Sequence, residues 1–255
     1  MRLTVVGCSG SFAGPSSPAS SYLVQADDGD RTWSILLDLG SGALGALQRH
    51  LDPADLDAVF VSHLHPDHCV DICGLYVTRK YRPAGALPGR LPVHAPRGAE
   101  QRFALMYHGL EHDGMSGELA VHELSEAQVT QVGPLRVTAY RVNHPVEAYG
   151  FRVEADGAVL AYTGDTDTCE ALTPLLTGAN LALMDSAFVD GRDEATGIHL
   201  SGSRAAKAAA EAGGVRRLML THIPPWNDPE VCRTQAAAVW SGPLDLATPD
   251  ETYEV

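Results

Sequence analysis

The chain predicts an α/β fold on three observations. In its last third, strand-length apolar runs alternate with helical stretches: helix 169–177, strand 181–184, helix 203–212, strand 216–220 and helix 228–240. The first 40 residues and residues 119–162 read instead as short consecutive strands separated by turn residues, the pattern of a meander. Between them, Ala58–Val61 is the short continuous apolar run of a strand covered on both faces, and ligand-type residues begin where it ends.

Residues 2–7, 20–25 and 33–38 are predicted strands, the Gly, Ser and Pro density of 8–18 marks a loop, and Gly42–His50 reads as a short helix. The loop matches neither G-x-x-x-x-G-K-[ST] nor G-x-G-x-x-G, so nucleotide-triphosphate and dinucleotide binding gain no support. After Val61 comes Ser62-His63-Leu64-His65-Pro66-Asp67-His68. His63 and His65 are two apart, so an extended segment points both imidazoles the same way, while Asp67 and His68 fall in the following turn. Imidazole with carboxylate suits zinc or a similar first-row divalent ion, and an open coordination position suits hydrolysis. One histidine alone would read as a hydrogen-bonded loop residue; this grouping points to metal.

Asp67–Thr78 then reads as one helix, 91–95 as a strand, 97–109 as a helix and His112-Asp113-Gly114 as a loop. Between 79 and 102, Arg79, Lys80, Arg82, Arg90, Arg97 and Arg102 are balanced by Glu100 alone, which fits a solvated loop and a phosphate-steering surface equally. His94, His108, His112 and His122 lack the local grouping of 63–68 and read as structural or solvated. Strands follow at 119–124, 128–132, 135–142, 149–155 and 158–162, with Asp156-Gly157 a hairpin signal. His144 stands at a strand end stiffened by Pro145, Asp165 follows an apolar run that breaks at Gly164, and His222 follows strand 216–220. His199 precedes the alanine-rich helix 203–212, which Ser201 or Ser203 can cap and Gly213-Gly214 stops. Tyr76, Tyr81 and Trp226 are read as core residues.

With 255 residues, 45% apolar and 20% charged, the composition is that of an ordinary globular protein. A net charge of −14 argues against a general nucleic-acid surface. No apolar stretch approaches the ~18 residues of a membrane span, and the N-terminus enters a strand pattern without signal-peptide features. Cys8, Cys69, Cys73, Cys169 and Cys232 are odd in number and lack a secreted-domain spacing, so reduced thiols and a cytoplasmic location are expected. Without a linker or low-complexity tract, residues 1–255 are expected to form one domain.

The hexapeptide at 63–68, followed in order by His144, Asp165 and His222, resembles the metallo-β-lactamase-fold hydrolases over essentially the whole chain. That resemblance implies a four-layer αββα sandwich, two mixed sheets covered by helices, and two divalent metal ions. It places His63, His65 and His144 on one ion, Asp67, His68 and His222 on the other, and Asp165 between them. Zinc is expected, and manganese or iron suits the same ligands. Aspartate at 165, where some single-zinc relatives carry cysteine, favours a dinuclear hydrolase over the β-lactamase pattern.

Two adjacent ions can generate hydroxide at neutral pH and stabilise a phosphoryl group under in-line attack. Asp67 is expected to orient the hydroxide. His199, placed as in the tRNA 3′-processing endonucleases of this fold, is expected to protonate the leaving alkoxide as general acid. Val5-Val6-Gly7-Cys8-Ser9-Gly10-Ser11, Gly164-Asp165-Thr166, His199-Leu200-Ser201 and Leu220-Thr221-His222-Ile223-Pro224-Pro225-Trp226 look like the phosphodiesterase branch. With the ending Asp250-Glu251-Thr252-Tyr253-Glu254-Val255, the chain more narrowly resembles actinobacterial atypical class II cyclic-nucleotide phosphodiesterases, which implies hydrolysis of 3′,5′-cyclic AMP to 5′-AMP. Pro66 departs from the leucine of ordinary class II enzymes.

The expected partner is a small-molecule phosphodiester, and relatives often form homodimers. The first rival is tRNA 3′-end maturation, whose enzymes grip tRNA with a long protruding arm; only the short 79–90 segment is a candidate here. Lactone, thioester or β-lactam hydrolysis would use the same metals but leave His199 with less purpose. A non-enzymatic metal-stabilised binding protein is the third rival, against which the complete ligand set argues.

Overall fold

Successive side chains of a strand face opposite ways, and in this chain that alternation builds four layers. The computed structural model describes residues 1–83, 85–109 and 114–255; the expected loop at His112 and Asp113, and the reading of His112, lie outside the described residues. The first half runs β1 (Arg2–Gly7), β2 (Ser21–Asp27), β3 (Thr32–Leu37), α1 (Ala43–Leu47), β4 (Ala58–Phe60), α2 (Pro66–Cys69), α3 (Ile72–Lys80), β5 (Leu91–Ala95), α4 (Ala99–His108) and β6 (Leu119–Glu123). The second runs β7 (Val129–Val132), β8 (Leu135–Arg141), β9 (Tyr149–Ala155), β10 (Ala158–Tyr162), α5 (Leu172–Leu176), β11 (Leu181–Asp185), α6 (Gly202–Ala212), β12 (Leu218–Thr221), α7 (Pro229–Ala237), β13 (Leu244–Leu246) and β14 (Thr252–Glu254).

One sheet has the order β14-β1-β2-β3-β4-β5-β6 and the other β13-β12-β11-β10-β9-β8-β7. Both are mixed: pairing is antiparallel from β14 to β3 and parallel from β3 to β6, and likewise antiparallel from β7 to β10 and parallel from β10 to β13. Ile35, Leu37 and Phe60 of the first sheet meet Phe151, Leu160 and Leu183 of the second between the sheets. The intervening Leu36 and Val59 turn outward onto Ile72, Leu75, Tyr76 and Phe103 of α3 and α4. Ala182 and Met184 do the same on the second sheet, against Leu175, Ala205, Ala209 and Cys232 of α5, α6 and α7. This is the expected sandwich of two mixed sheets flanked by helices, and each large side chain it buries contributes roughly 1.5–3 kcal/mol.

Three expectations are corrected. The helix read across 67–78 is two helices, because the Asp71 N–H donates to the Leu39 carbonyl at 3.2 Å and the Asp71 carboxylate accepts from the Leu44 N–H at 2.9 Å. Those bonds divert the backbone toward the loop after β3. Strands β13 and β14 went unread, since three residues are too few to show a period; β14 is held by its register with β1, Leu3 opposite Tyr253. Tyr76 is buried as expected, but Tyr81 and Trp226 are each 60% exposed. The five cysteines are free, and among the described residues no helix is long and apolar enough to cross a membrane.

Gly40 sits where the loop after β3 crosses the ligand segment. A β-carbon there would lie 1.9 Å from the Asp67 carbonyl oxygen, and the adjacent Leu39 N–H donates to the His68 carbonyl at 2.8 Å. Gly40→Ala is expected to lower stability by about 1–3 kcal/mol, the usual cost of overpacking, measured as a shift of the urea midpoint; an unchanged midpoint would show that the contact relaxes freely.

Candidate metal centre

The carboxyl ends of β3, β4, β10, β11 and β12, all in the parallel parts of their sheets, converge, and each delivers a polar residue. Asp38 follows β3, Ser62 and His63 follow β4, Asp165 follows β10, Asp185 ends β11 and His222 follows β12. His144 comes from the turn after β8, and His199 from the segment before α6. Every side chain expected at the site is therefore brought to one place. Among the described residues, three groupings have donor atoms within 4.8 Å of one another and could hold a metal: His63, His65, His144 and Asp165; Asp67, His68, Asp165 and His222; and Asp165, Asp185 and His199. Asp165 belongs to all three.

Donors around a tetrahedral ion at 2.0–2.1 Å lie about 3.4 Å apart, and the spacings here bracket that value. His65 Nδ1 is 2.9 Å from His63 Nε2 and 3.3 Å from His144 Nε2. His222 Nε2 is 3.3 Å from Asp165 Oδ2. His68 Nε2 lies 3.1 Å from Asp165 Oδ1, yet neither atom is aligned for a hydrogen bond. His68 Nε2, Asp165 Oδ1 and His222 Nε2 are all buried without hydrogen-bond partners, a state that costs roughly 1–3 kcal/mol per group. A cation among them satisfies all three, so the residues fit a metal.

The other nitrogen of most of these rings is held from outside. His63 Nδ1 lies 3.1 Å from Ser62 Oγ, His68 Nδ1 2.7 Å from Asp38 Oδ2, His222 Nδ1 2.9 Å from Ser20 Oγ and His144 Nδ1 2.9 Å from the Ile198 carbonyl. Such partners fix tautomer and ring orientation. Burial lowers the imidazoles of His63, His65 and His222, the direction that ligation favours. Burial acts the same way on His68, but Asp165 and Asp38 outweigh it and raise that ring well above its ordinary value. Burial also opposes charge on Asp165, and His222, His68 and His63 overcome it, holding the carboxyl well below the usual range. The potential that holds a proton on His68 favours a metal cation in its place.

His199 stands at the rim, its Nδ1 2.9 Å from Asp185 Oδ2 and its ring 5.4 Å from those of His144 and His222. Burial pulls this imidazole down, but Asp185 more than compensates and lifts it to about 9. The segment carrying it is pinned by Asp167, which accepts from the Gly197 N–H at 2.7 Å and from Arg204 at 2.9 Å.

The basic stretch divides. Arg79 donates to backbone carbonyls of Gly89 and Glu118, Lys80 to Tyr76, Arg82 to Asp52 and Arg90 to the Ser116 carbonyl. Arg97 and Arg102 line a cavity of about 330 Å³ with His65, Leu64, Pro96, Val146 and Glu147. His94 is buried and stacked between Phe60 and His122, a structural role as expected.

Asp38, Asp185, Ser20 and Ser62 were missed as site residues. Asp38 and Asp185 each close an apolar strand run, as Asp165 does, and that signal could have found them.

A family model described as beta-lactamase superfamily domain matches residues 34–223. An uncharacterized protein of Mycobacterium tuberculosis is 41% identical over 258 residues, covering 100% of this chain and 92% of its own. The probable metallo-hydrolase YhfI of Bacillus subtilis is 28% identical over 258 residues and covers both chains fully; its crystal structure superposes with a TM-score of 0.84 over 99% of each chain. Ribonuclease Z of Mycobacterium bovis is 28% identical over 287 residues, covering 100% of this chain and 98% of its own.

Asp38→Asn would replace an acceptor of several donors by an amide that opposes some of them, and is expected to weaken metal retention about 10–100-fold, read by competition with a chelator. Asp165→Ala should strip metal more completely, because that residue serves every grouping. Full metal retention in Asp165→Ala would contradict the shared-ligand arrangement.

Proposed function

This chain belongs to the beta-lactamase superfamily domain family, a fold of metallo-hydrolases, and on that premise we propose that it is a two-metal phosphodiesterase acting on 3′,5′-cyclic nucleotides, converting cyclic AMP to 5′-AMP. The observation that carries this reading is the pairing of His199 with Asp185 beside ligand sets that share Asp165. Cleaving a phosphate diester expels an alkoxide that needs a proton, and a carboxylate-held histidine at the rim is the group to supply it. Hydrolysis of lactones or thioesters leaves that pair with less to do.

In this reading His63, His65, His144 and Asp165 would hold one divalent ion and Asp67, His68, His222 and Asp165 the other. When bound, such ions supply Lewis acidity to phosphoryl oxygens and lower the pKa of the attacking water. Asp67 Oδ2, 3.5 Å from His68 Nε2 and 3.8 Å from His222 Nε2, would help hold an ion and would accept a hydrogen bond from the attacking water, orienting it. The water oxygen bonds to phosphorus, the bond from phosphorus to O3′ breaks on the opposite side, and O3′ takes its proton from His199 Nε2. The proton lost by water balances the one His199 gives. Asp185 holds the ring through Nδ1 and stabilises its charged form before transfer.

A small substrate is supported over tRNA by the charge of −14 and by the shortness of the one candidate for a gripping arm, the connection from Lys80 to Leu91. The tRNA reading draws support from the identity with the Mycobacterium bovis relative named ribonuclease Z. Chromatographic product analysis of the metal-loaded protein given cyclic AMP and, separately, a precursor tRNA decides between them. Formation of 5′-AMP with intact tRNA is expected; untouched cyclic AMP with a cut tRNA 3′ end would install the rival. His199→Ala should retain metal and lose about 10²–10⁴-fold in kcat, and full activity in that variant would remove His199 from the mechanism.

A further inference from the structure

Trp226 and Phe12 form an exposed aromatic pair on the loops flanking His222, with ring centroids 5.3 Å apart and exposures of 60% and 47%. Neither belongs to a core cluster. Trp33 and Trp240 donate their indole N–H groups to Asp28 and to the Pro243 carbonyl, whereas Trp226 has no such bond among the described residues.

Both aromatics ride on loops locked to the metal-ligand candidate His222. Gly10 donates its N–H to the Ile223 carbonyl at 3.1 Å, and a β-carbon at Gly10 would lie 2.2 Å from the His222 carbonyl oxygen and 3.0 Å from its ring. Phe12 is two residues further on, its carbonyl tied to Ser9 Oγ at 2.7 Å. On the loop after β12, Ile223, Pro224 and Pro225 separate His222 from Trp226, and the turn is closed by the Asn227 N–H on the Pro224 carbonyl at 2.9 Å. The buried Asn227 side chain anchors it, donating to the Ala187 carbonyl at 2.8 Å and accepting from Arg192 at 2.7 Å. Backbone strain marks both loops, with Ser11 at φ 64° and His222 at φ 57°, conformations unfavourable for residues with a β-carbon. Rigid loops that hold large apolar rings in water beside a polar centre are built for contact with a flat apolar group.

We propose that Trp226, supported by Phe12, stacks on the nucleobase of a small nucleotide whose phosphate lies at the metal centre. The inference rests on the phosphodiesterase reading of that centre. A nucleotide carries its base one ribose away from its phosphate, and Phe12 stands two residues from Gly10, which abuts His222, and Trp226 four residues from His222 itself. Stacking accepts any base, because each has a π-face, so the platform supplies affinity for nucleosides over base-free phosphates without selecting one base.

The test compares calorimetric binding of 5′-AMP and ribose 5-phosphate to metal-loaded wild type, Trp226→Ala and Trp226→Phe, together with the KM for cyclic AMP. Wild type should bind 5′-AMP about 5- to 150-fold more tightly than ribose 5-phosphate, the range expected of one base–aromatic stack. Trp226→Ala should bind the two alike and raise KM by a similar factor, with kcat and metal content little changed. Trp226→Phe should keep most of the preference. Unaltered AMP preference and KM in Trp226→Ala would overturn the platform while cyclic AMP turnover stood. Absence of turnover with a Trp226-dependent AMP preference would instead overturn the enzymatic reading and support the platform. A Trp226→Ala defect on precursor tRNA alone, with AMP binding unchanged, would also overturn it.

Discussion

A single buried carboxylate, Asp38, ties the two sheets to the ligand segment. Its Oδ1 accepts from the Ser62 N–H at 2.6 Å, and its Oδ2 accepts from Ser62 Oγ at 2.8 Å, from Tyr162 in the opposite sheet at 2.6 Å and from His68 Nδ1 at 2.7 Å. A charge without access to water is costly unless its lone pairs are filled, and here backbone, hydroxyl, phenol and imidazole fill them. Sheet packing and ligand orientation thereby become one problem: moving either sheet would unpair Asp38 and turn the His68 ring. Tyr22 extends the link, its ring tilted against Tyr162 at 4.9 Å and its hydroxyl bonding Thr221, the neighbour of His222, at 2.6 Å.

The local backbone is held in demanding conformations around this carboxylate. Asp38 and His222 have φ of 60° and 57°, and Gly164, at φ 57°, has no room for a β-carbon beside the Tyr149 carbonyl. Each non-glycine residue so placed costs on the order of 1–3 kcal/mol, which the apolar layers on both faces of both sheets offset. The return is preorganisation: ligands from separate strands are fixed before any ion arrives. His199 belongs to the same design, because Asp185 anchors its ring and Asp167 its segment.

The layered fold and much of the site were legible in the sequence for a physical reason. Strand periodicity reports burial directly, and His63, His65, Asp67 and His68 are dense enough to exceed any background of loop polarity. His144, Asp165 and His222 were individually ambiguous and became readable through their common position after strands. Asp38 and Asp185 occupy the same kind of position, but a lone aspartate after a strand also looks like a turn former. The break at Asp71 arises from tertiary hydrogen bonds to Leu39 and Leu44, which carry no local signature. The exposure of Trp226 was hidden likewise: a proline-rich turn and the partner ring of Phe12 hold it in water, where composition suggested core.

The central claim is that Asp165 joins two metal positions into one hydrolytic centre. Counting bound metal per chain in wild-type protein after exhaustive dialysis, by atomic emission, tests it most directly. Two ions per chain are expected, both diminished by loss of the shared carboxylate. One tightly held ion with the second ligand set empty, or none at all, would contradict it.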